Sequence, residues 1–184
     1  MISFNNTEVA FIWRNNKELK RAKFLFKTIS WPTLVSVGSF LLKIALAIRF
    51  PIAWIVKPTI FKHFVGGESL VECLPLVGNL AKHNVKSILD YSVEGKGTDK
   101  SHEEAYDEIL RSIKNAASNP NITFAVFKPT GLTHISILEK VSNGETLSDK
   151  ELKSFELFKE RVENLCSVAA QTNTPILIDA EDTW

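Results

Sequence analysis

Apolar residues recur in two rhythms along the second two-thirds of this chain. Short runs dense in apolar residues alternate with longer stretches whose apolar positions return every three or four residues. The runs at 62–66, 85–92, 122–128 and 175–179 predict strands. The intervening stretches predict helices over 69–83, 101–118 and 148–172. Each of these opens on a serine with a glutamate three residues on: Ser69 with Glu72, Ser101 with Glu104, Ser148 with Glu151. That spacing suits a capping box, where hydroxyl and carboxylate satisfy orphan amide donors. Leu152, Phe155, Phe158, Val162, Leu165, Cys166 and Ala169 give the last helix a single apolar face.

The resulting order is β-α-β-α-β-α-β. Apolar strands separated by helices imply a parallel sheet with right-handed crossovers. A doubly wound sheet carries its phosphate loop after the first strand, and Gly66-Gly67-Glu68 is too short for that fingerprint. A (β/α)8 barrel instead places chemistry at the C-terminal ends of several strands. The strand ends here carry Asp90, Lys128 and Asp179. Eight strands need about 250 residues, so the expected fold is α/β, the N-terminal half of a TIM-like (β/α)8 barrel over 61–184, preceded by a helical region over 1–60.

That first region is less regular. Residues 17–28 form a basic amphipathic segment with Leu19, Phe24, Leu25 and Ile29 on its apolar face, and 33–48 predict a further helix after Pro32. Trp31 to Phe61 is strongly apolar, yet Lys43, Arg49 and Lys57 interrupt it and Pro51 and Pro58 break it. Its longest uncharged run, Trp31 to Leu42, is shorter than the roughly 20 residues a span requires. A buried helical hairpin is the first reading, a membrane-surface helix the second, and a transmembrane span the third.

Composition narrows the class without naming it. The 184 residues are 45% hydrophobic and 23% charged with a formal net charge of +1, so no nucleic-acid partner is expected. Cys73 and Cys166 form no metal spacing and no disulfide framework, and the N-terminus lacks the order of a signal peptide. The expected location is the cytoplasm, with peripheral contact at the inner face of the membrane. No feature fixes an oligomeric state.

The candidate chemistry lies at the strand ends. Lys128 leaves the run Phe-Ala-Val-Phe at the rim, and Pro129-Thr130-Gly131 shape the loop after it. Its ammonium suits an electron-rich ring edge or a phosphate, or else an ordinary pairing with a carboxylate. Asp179 and Glu181 flank Ala180 and would share a face of a continuing strand. They suit a cation, a base or Lys128; helix capping by Asp179 or Asp182 is the bland alternative. Asp90, Tyr91 and Glu94 follow the second run. His63, His83, His102 and His134 show no ligand spacing and read as surface or loop histidines, so no metal site is expected from them.

These segments resemble the proline dehydrogenase family. The resemblance is carried by Phe64-Val65-Gly66-Gly67-Glu68, Ile88-Leu89-Asp90-Tyr91-Ser92-Val93-Glu94-Gly95, Phe127-Lys128-Pro129-Thr130-Gly131-Leu132 and Ile176-Leu177-Ile178-Asp179-Ala180-Glu181. It looks most like the monofunctional bacterial form. The resemblance implies a distorted (β/α)8 barrel that binds FAD, oxidises L-proline to Δ1-pyrroline-5-carboxylate by hydride transfer to the flavin, and passes electrons to a membrane quinone. It implies catalytic roles for Lys128 and Asp179. Lys128 and Thr130 would lie against the cofactor, Lys128 at its N5 edge. Asp179 would stand at the substrate end, and Glu94 would pair with an arginine that closes the site over proline.

In the family, the arginine pair that grips the proline carboxylate and most FAD contacts belong to the second half of the barrel. The expectation is therefore a truncated chain that binds FAD weakly or not at all and does not turn over proline alone. Two alternatives stay open: a non-catalytic half-barrel that associates with another copy or a separate second half through its exposed strands, and an unrelated barrel fragment using Asp179 and Glu181 as metal ligands.

Overall fold

A computed structural model describes residues 5–91, 97–180 and 182. The chain divides into two compact units, Met1–Asn79 and Leu80–Trp184. The first is helical. It contains α1 (Thr7–Ala10), α2 (Asn16–Ile29), α3 (Pro32–Ala47), α4 (Ala53–Val56), a π-helical turn (Lys57–Phe61), α5 (Lys62–Phe64) and most of α6 (Leu70–Ala81). Asn15 and Glu18 form a capping box that opens α2. Pro32 has no N–H to continue the ladder, so it ends one helix and starts the next at N1.

Two expectations for this unit are corrected. The buried hairpin is not found: no residue of α3 is buried, and Leu34, Val37, Phe40, Leu41 and Ile44 stand exposed. No single helix is long and apolar enough to cross a membrane; α2 and α3 reach the length only together, and they are bent by 92° at their break. In place of the strand at 62–66 there is helix over Lys62–Phe64, which Val65 leaves in extended backbone. Phe61 and Phe64 are spaced for one helical face, and the Val65 amide donates to the Phe61 carbonyl at 2.8 Å. The rings of His63 and Phe64 meet Phe26 of α2 edge-on, at centroid distances of 5.3 and 6.1 Å. Side chains engaged this way leave no alternating face to pair in a sheet. Gly67 is required by close approach: a Cβ there would sit 2.6 Å from Cβ of Glu72 in the first turn of α6.

The second unit is α/β. It runs β1 (Ser87–Leu89), α7 (Asp99–Ser118), β2 (Ile122–Phe127), a 3-10 turn (Pro129–Gly131), α8 (Ile135–Ser142), α9 (Asp149–Gln171) and β3 (Ile176–Ile178). Its three strands pair in parallel in the order β1-β2-β3. Ile88 lies beside Phe124, Val126 beside Leu177 and Phe127 beside Ile178. Three of the four expected strands are thus present among the described residues. A helix-rich α/β unit with a small parallel sheet is what the structure establishes.

The core lies on one side of that sheet. Ala125 and Phe127 of β2 pack with Ile109 and Ile113 of α7 and Leu165 and Ala169 of α9, and Leu132 closes the top. Ile113, Leu132 and Leu165 are 0% exposed. Since strand side chains alternate, Phe124 and Val126 face the other way. There Ile88 and Leu177, their neighbours across the sheet, are 47% and 41% exposed.

Local chemistry sets the helix ends. Ser148 and Glu151 form the expected capping box of α9, and Glu151 also accepts from Lys140 Nζ at 2.6 Å. At α6, Ser69 Oγ accepts from the Glu72 amide at 3.4 Å, while the Glu72 carboxylate turns to the Glu68 amide. At α7 the expected cap is corrected: Thr98 is the N-cap and Ser101 the third helical residue, each bonded to the other's backbone. The helix therefore starts earlier than Ser101, and Ser101 is 5% exposed.

Four helices end in the same way, on Arg49, Asn84, Gly144 and Asn173 at φ of 55°, 59°, 70° and 52°. Asn173 N donates to Ala170 O and Thr174 N to Ala169 O; Asn84 N donates to Ala81 O and Val85 N to Leu80 O. This is the Schellman pattern, in which asparagine tolerates the left-handed region. β1 and β3 each begin three residues beyond the asparagine. The α8 helix has no counterpart in the sequence reading. It is short and sits between a Gly-containing turn and a polar loop.

Two outcomes follow from this packing. Leu165→Ala leaves a cavity where α7, α9 and β2 meet and should cost about 3 kcal/mol in urea unfolding. Bonds from Lys140 and from Ser148 hold the Glu151 carboxyl down from 4.5 to about 2. Its stabilisation is complete above pH 4.5 and fades as pH falls toward about 2. Glu151→Gln should lower the melting temperature near neutral pH, and the gap to the parent should close across that acid window.

Candidate functional site

The sheet register places Lys128 and Asp179 side by side. Phe127 pairs with Ile178, and the Asp179 amide continues the ladder by donating to the Phe127 carbonyl at 3.0 Å. Each is one step past its strand, so both side chains project on the side of Val126 and Leu177, away from the helical core. Lys128 Nζ lies 3.6 Å from Asp179 Oδ2. The Lys128 side chain is only 16% exposed and that of Asp179 is 49% exposed. The ammonium is therefore sheltered while the carboxylate beside it stands half exposed. The pairing of Lys128 with a carboxylate, weighed above, is present.

A cavity of about 560 Å3 opens at this C-terminal edge. Lys128, Thr130 and His134 form one wall, Ser101 and His102 of α7 another, and Tyr91 and Asp182 stand at the rim. Thr130 sits in the 3-10 turn that Pro129 starts. Arg161 of α9 braces the same loop by donating from Nη1 to the Leu132 carbonyl at 2.8 Å. Asp179 pairs with Lys128 but does not line the cavity. Asp90 is exposed at the end of β1. Glu94 and Glu181 lie outside the described residues, so the closing role of Glu94 and the Asp179–Glu181 pair have no structural account here.

One arrangement departs from the reading of the sequence. His102 is not a surface or loop residue: it is 4% exposed in the second turn of α7. Its ring meets that of His134 edge-on at 4.8 Å, and His134 Nε2 lies 3.1 Å from Asp99 Oδ1. Burial pushes the His102 imidazole below its usual value, with His134 and Arg161 acting in the same direction. The hydrogen bond from His134 holds the Asp99 carboxyl below the ordinary carboxylate range. Asp99 and His102 are three apart on one helical face, a spacing visible in the sequence. His134 joins them only through the fold.

The fold and this edge define a class: a parallel α/β protein whose strand ends bring a sheltered cation and a carboxylate to the rim of a cavity. The sequence model described as "Proline dehydrogenase" matches residues 73–184, and the chain belongs to that family. It is 27% identical over 176 residues to "Proline dehydrogenase 1, mitochondrial" of Dictyostelium discoideum, covering 76% of this chain and 31% of that protein. It is 33% identical over 136 residues to the protein of the same name from Caenorhabditis elegans, covering 70% and 22%. It is also 26% identical over 120 residues to "Carbapenem antibiotics biosynthesis protein CarD" of Pectobacterium carotovorum subsp. carotovorum, covering 65% and 32%. The aligned region thus spans about a third or less of these curated relatives. No solved structure gives a significant match.

Proposed function

We propose that this chain supplies one wall of a flavin-dependent enzyme that oxidises L-proline to Δ1-pyrroline-5-carboxylate. The observation that carries the reading is the Lys128–Asp179 pair on adjacent parallel strand ends, 3.6 Å apart, within the residues that match the family. A sheltered ammonium beside the cavity favours a neighbour that gains negative charge. Asp179 positions that ammonium and presents its free edge toward the substrate end.

The donor set fits FAD. Lys128 offers a cation, Thr130 a hydroxyl and Tyr91 an aromatic ring around one cavity, whose volume is in the range of cofactor pockets. FAD, when bound, supplies the hydride acceptor. The chain's own residues orient it and stabilise charge at its edge.

The three-stranded sheet is read as a segment of a (β/α)8 barrel. Support comes from the exposure of Ile88 and Leu177 on the face opposite the helices, which in a barrel would be its interior. With that face open, water reaches the rim that hydride transfer requires to be dry. The 184 residues alone therefore bind FAD weakly and do not turn over proline. A membrane quinone accepts the electrons in this reading, and the exposed apolar side chains of α3 support peripheral contact with the membrane surface. The corresponding location is the cytoplasm, against the inner membrane face.

The test is a chimera in which residues 73–184 replace the aligned segment of a curated proline dehydrogenase. Proline-dependent reduction of an artificial electron acceptor should persist, and Lys128→Ala should lower it on the order of 100-fold. A folded, flavin-loaded chimera without proline oxidation would overturn the assignment. For the 184-residue chain, an FAD titration should show no stoichiometric tight binding; tight binding would overturn only the claim about the isolated chain.

A further inference from the structure

We propose that Asp99, His102 and His134 form a binding site for a divalent first-row transition metal of the zinc type. One ligand atom from each residue lies within 4.8 Å of the other two. In a tetrahedral zinc site the ligands lie about 2.0–2.1 Å from the metal and so about 3.3 Å from one another. The 3.1 Å between Asp99 Oδ1 and His134 Nε2 already meets that spacing. A metal would take the place of the proton now shared between them.

Burial decides which ligand is fixed and which ones move. His102 is 4% exposed, held by the packed face of α7 beside Ala105 and Ile109. The side chains of His134 and Asp99 are 37% and 83% exposed. The two freer groups can swing onto the fixed imidazole to close the remaining distance. Two imidazoles and one carboxylate are a borderline donor set, suited to zinc, cobalt or nickel rather than magnesium or calcium, which prefer all-oxygen shells. With three protein ligands, a fourth position is left for water, and His102 and His134 both line the cavity that Lys128 and Thr130 share. Two cations stand nearby, Arg161 close to His102 and Lys150 close to Asp99, and they limit the affinity rather than define the site.

The metal would join the first turn of α7 to the loop between β2 and α8, two elements 35 residues apart at Asp99 and His134. Its function would be to pin that loop, which carries Thr130 and follows Lys128, in one position. This inference is independent of flavin binding and of proline as substrate.

The test uses the purified 184-residue chain dialysed against zinc chloride, with bound metal counted by mass spectrometry. One zinc per chain is expected. Asp99→Asn and His134→Gln should each weaken binding at least tenfold, while His83→Gln should leave it unchanged. Far-UV circular dichroism checks that each variant is folded. Should a variant fail to fold, histidine ring resonances of the parent chain during zinc titration decide. His102 and His134 should shift together at one equivalent, and His63 and His83 should not. Absence of stoichiometric zinc, binding that survives both substitutions, or loss of binding in folded His83→Gln would each overturn the site.

Discussion

The contact on which the second unit depends is the closure of Phe127 against Ile113, Leu132 and Leu165. Phe127 is 2% exposed and the other three are fully buried. The contact fixes which face of β2 is inside. Because strand side chains alternate, burying Phe127 forces Lys128 to the opposite side and to the edge. A shift of one residue in register would drive that ammonium into the apolar core, at a cost in desolvation far larger than any pairing regained. The same constraint runs through the ladder to Asp179, whose amide bonds the Phe127 carbonyl. The core thus sets the Lys128–Asp179 geometry, and it also reaches the cavity beside Lys128, where Ala105 and Ile109 of α7 form part of the lining.

The C-terminal edge carries two ionisable groupings of different character. Lys128 and Asp179 come from strand ends and inherit the rigidity of the sheet. Asp99, His102 and His134 come from a helix start and from the cap of α8, positions that depend on loops. His102 alone among these three is packed from all sides. The edge therefore combines one pair set by register with one cluster anchored at a single buried imidazole. Arg161 ties the two regions together, since its bond to the Leu132 carbonyl fixes the loop that runs from Lys128 to His134.

Much of this unit was legible in the sequence because its periodicities are clean. The β1, β2 and β3 segments and α9 fall within the predicted ranges, α7 starts two residues ahead of its range, and Ser148–Glu151 acts as its spacing implies. Lys128 and Asp179 were placed at a rim from strand polarity alone, and the structure brings them into contact. The failures have identifiable causes. Residues 62–66 carry aromatic residues that a strand would also use, but His63 and Phe64 both pack edge-on against Phe26 of α2. Ser101 reads as a cap because serine suits that position, but it suits the third helical position equally, and Thr98 three residues earlier takes the cap. His102 reads as a surface residue beside Glu103 and Glu104, yet burial follows the helical face and not the adjacent residue. The meeting of His102 with His134 required tertiary structure, which no spacing rule supplies.

The helix ends show how the strands are entered. The same left-handed turn and pair of backbone bonds close α3 at Arg49 and α8 at Gly144 as well as the helices before β1 and β3, so the turn is a local helix-ending device. What Asn84 and Asn173 share beyond it is the three-residue approach to a strand. Each approach delivers a new strand whose C-terminal end reaches the same edge, which is how one edge collects chemistry from distant parts of a sequence. Exposure in the sheet follows the edge strands: Ile88 of β1 and Leu177 and Ile178 of β3 are exposed, while Val126 of the central strand is 9% exposed. At the edge of that central strand the Lys128 ammonium, 16% exposed and 3.6 Å from Asp179 Oδ2, is sheltered from water, so its attraction to the carboxylate is screened less than it would be between two exposed groups.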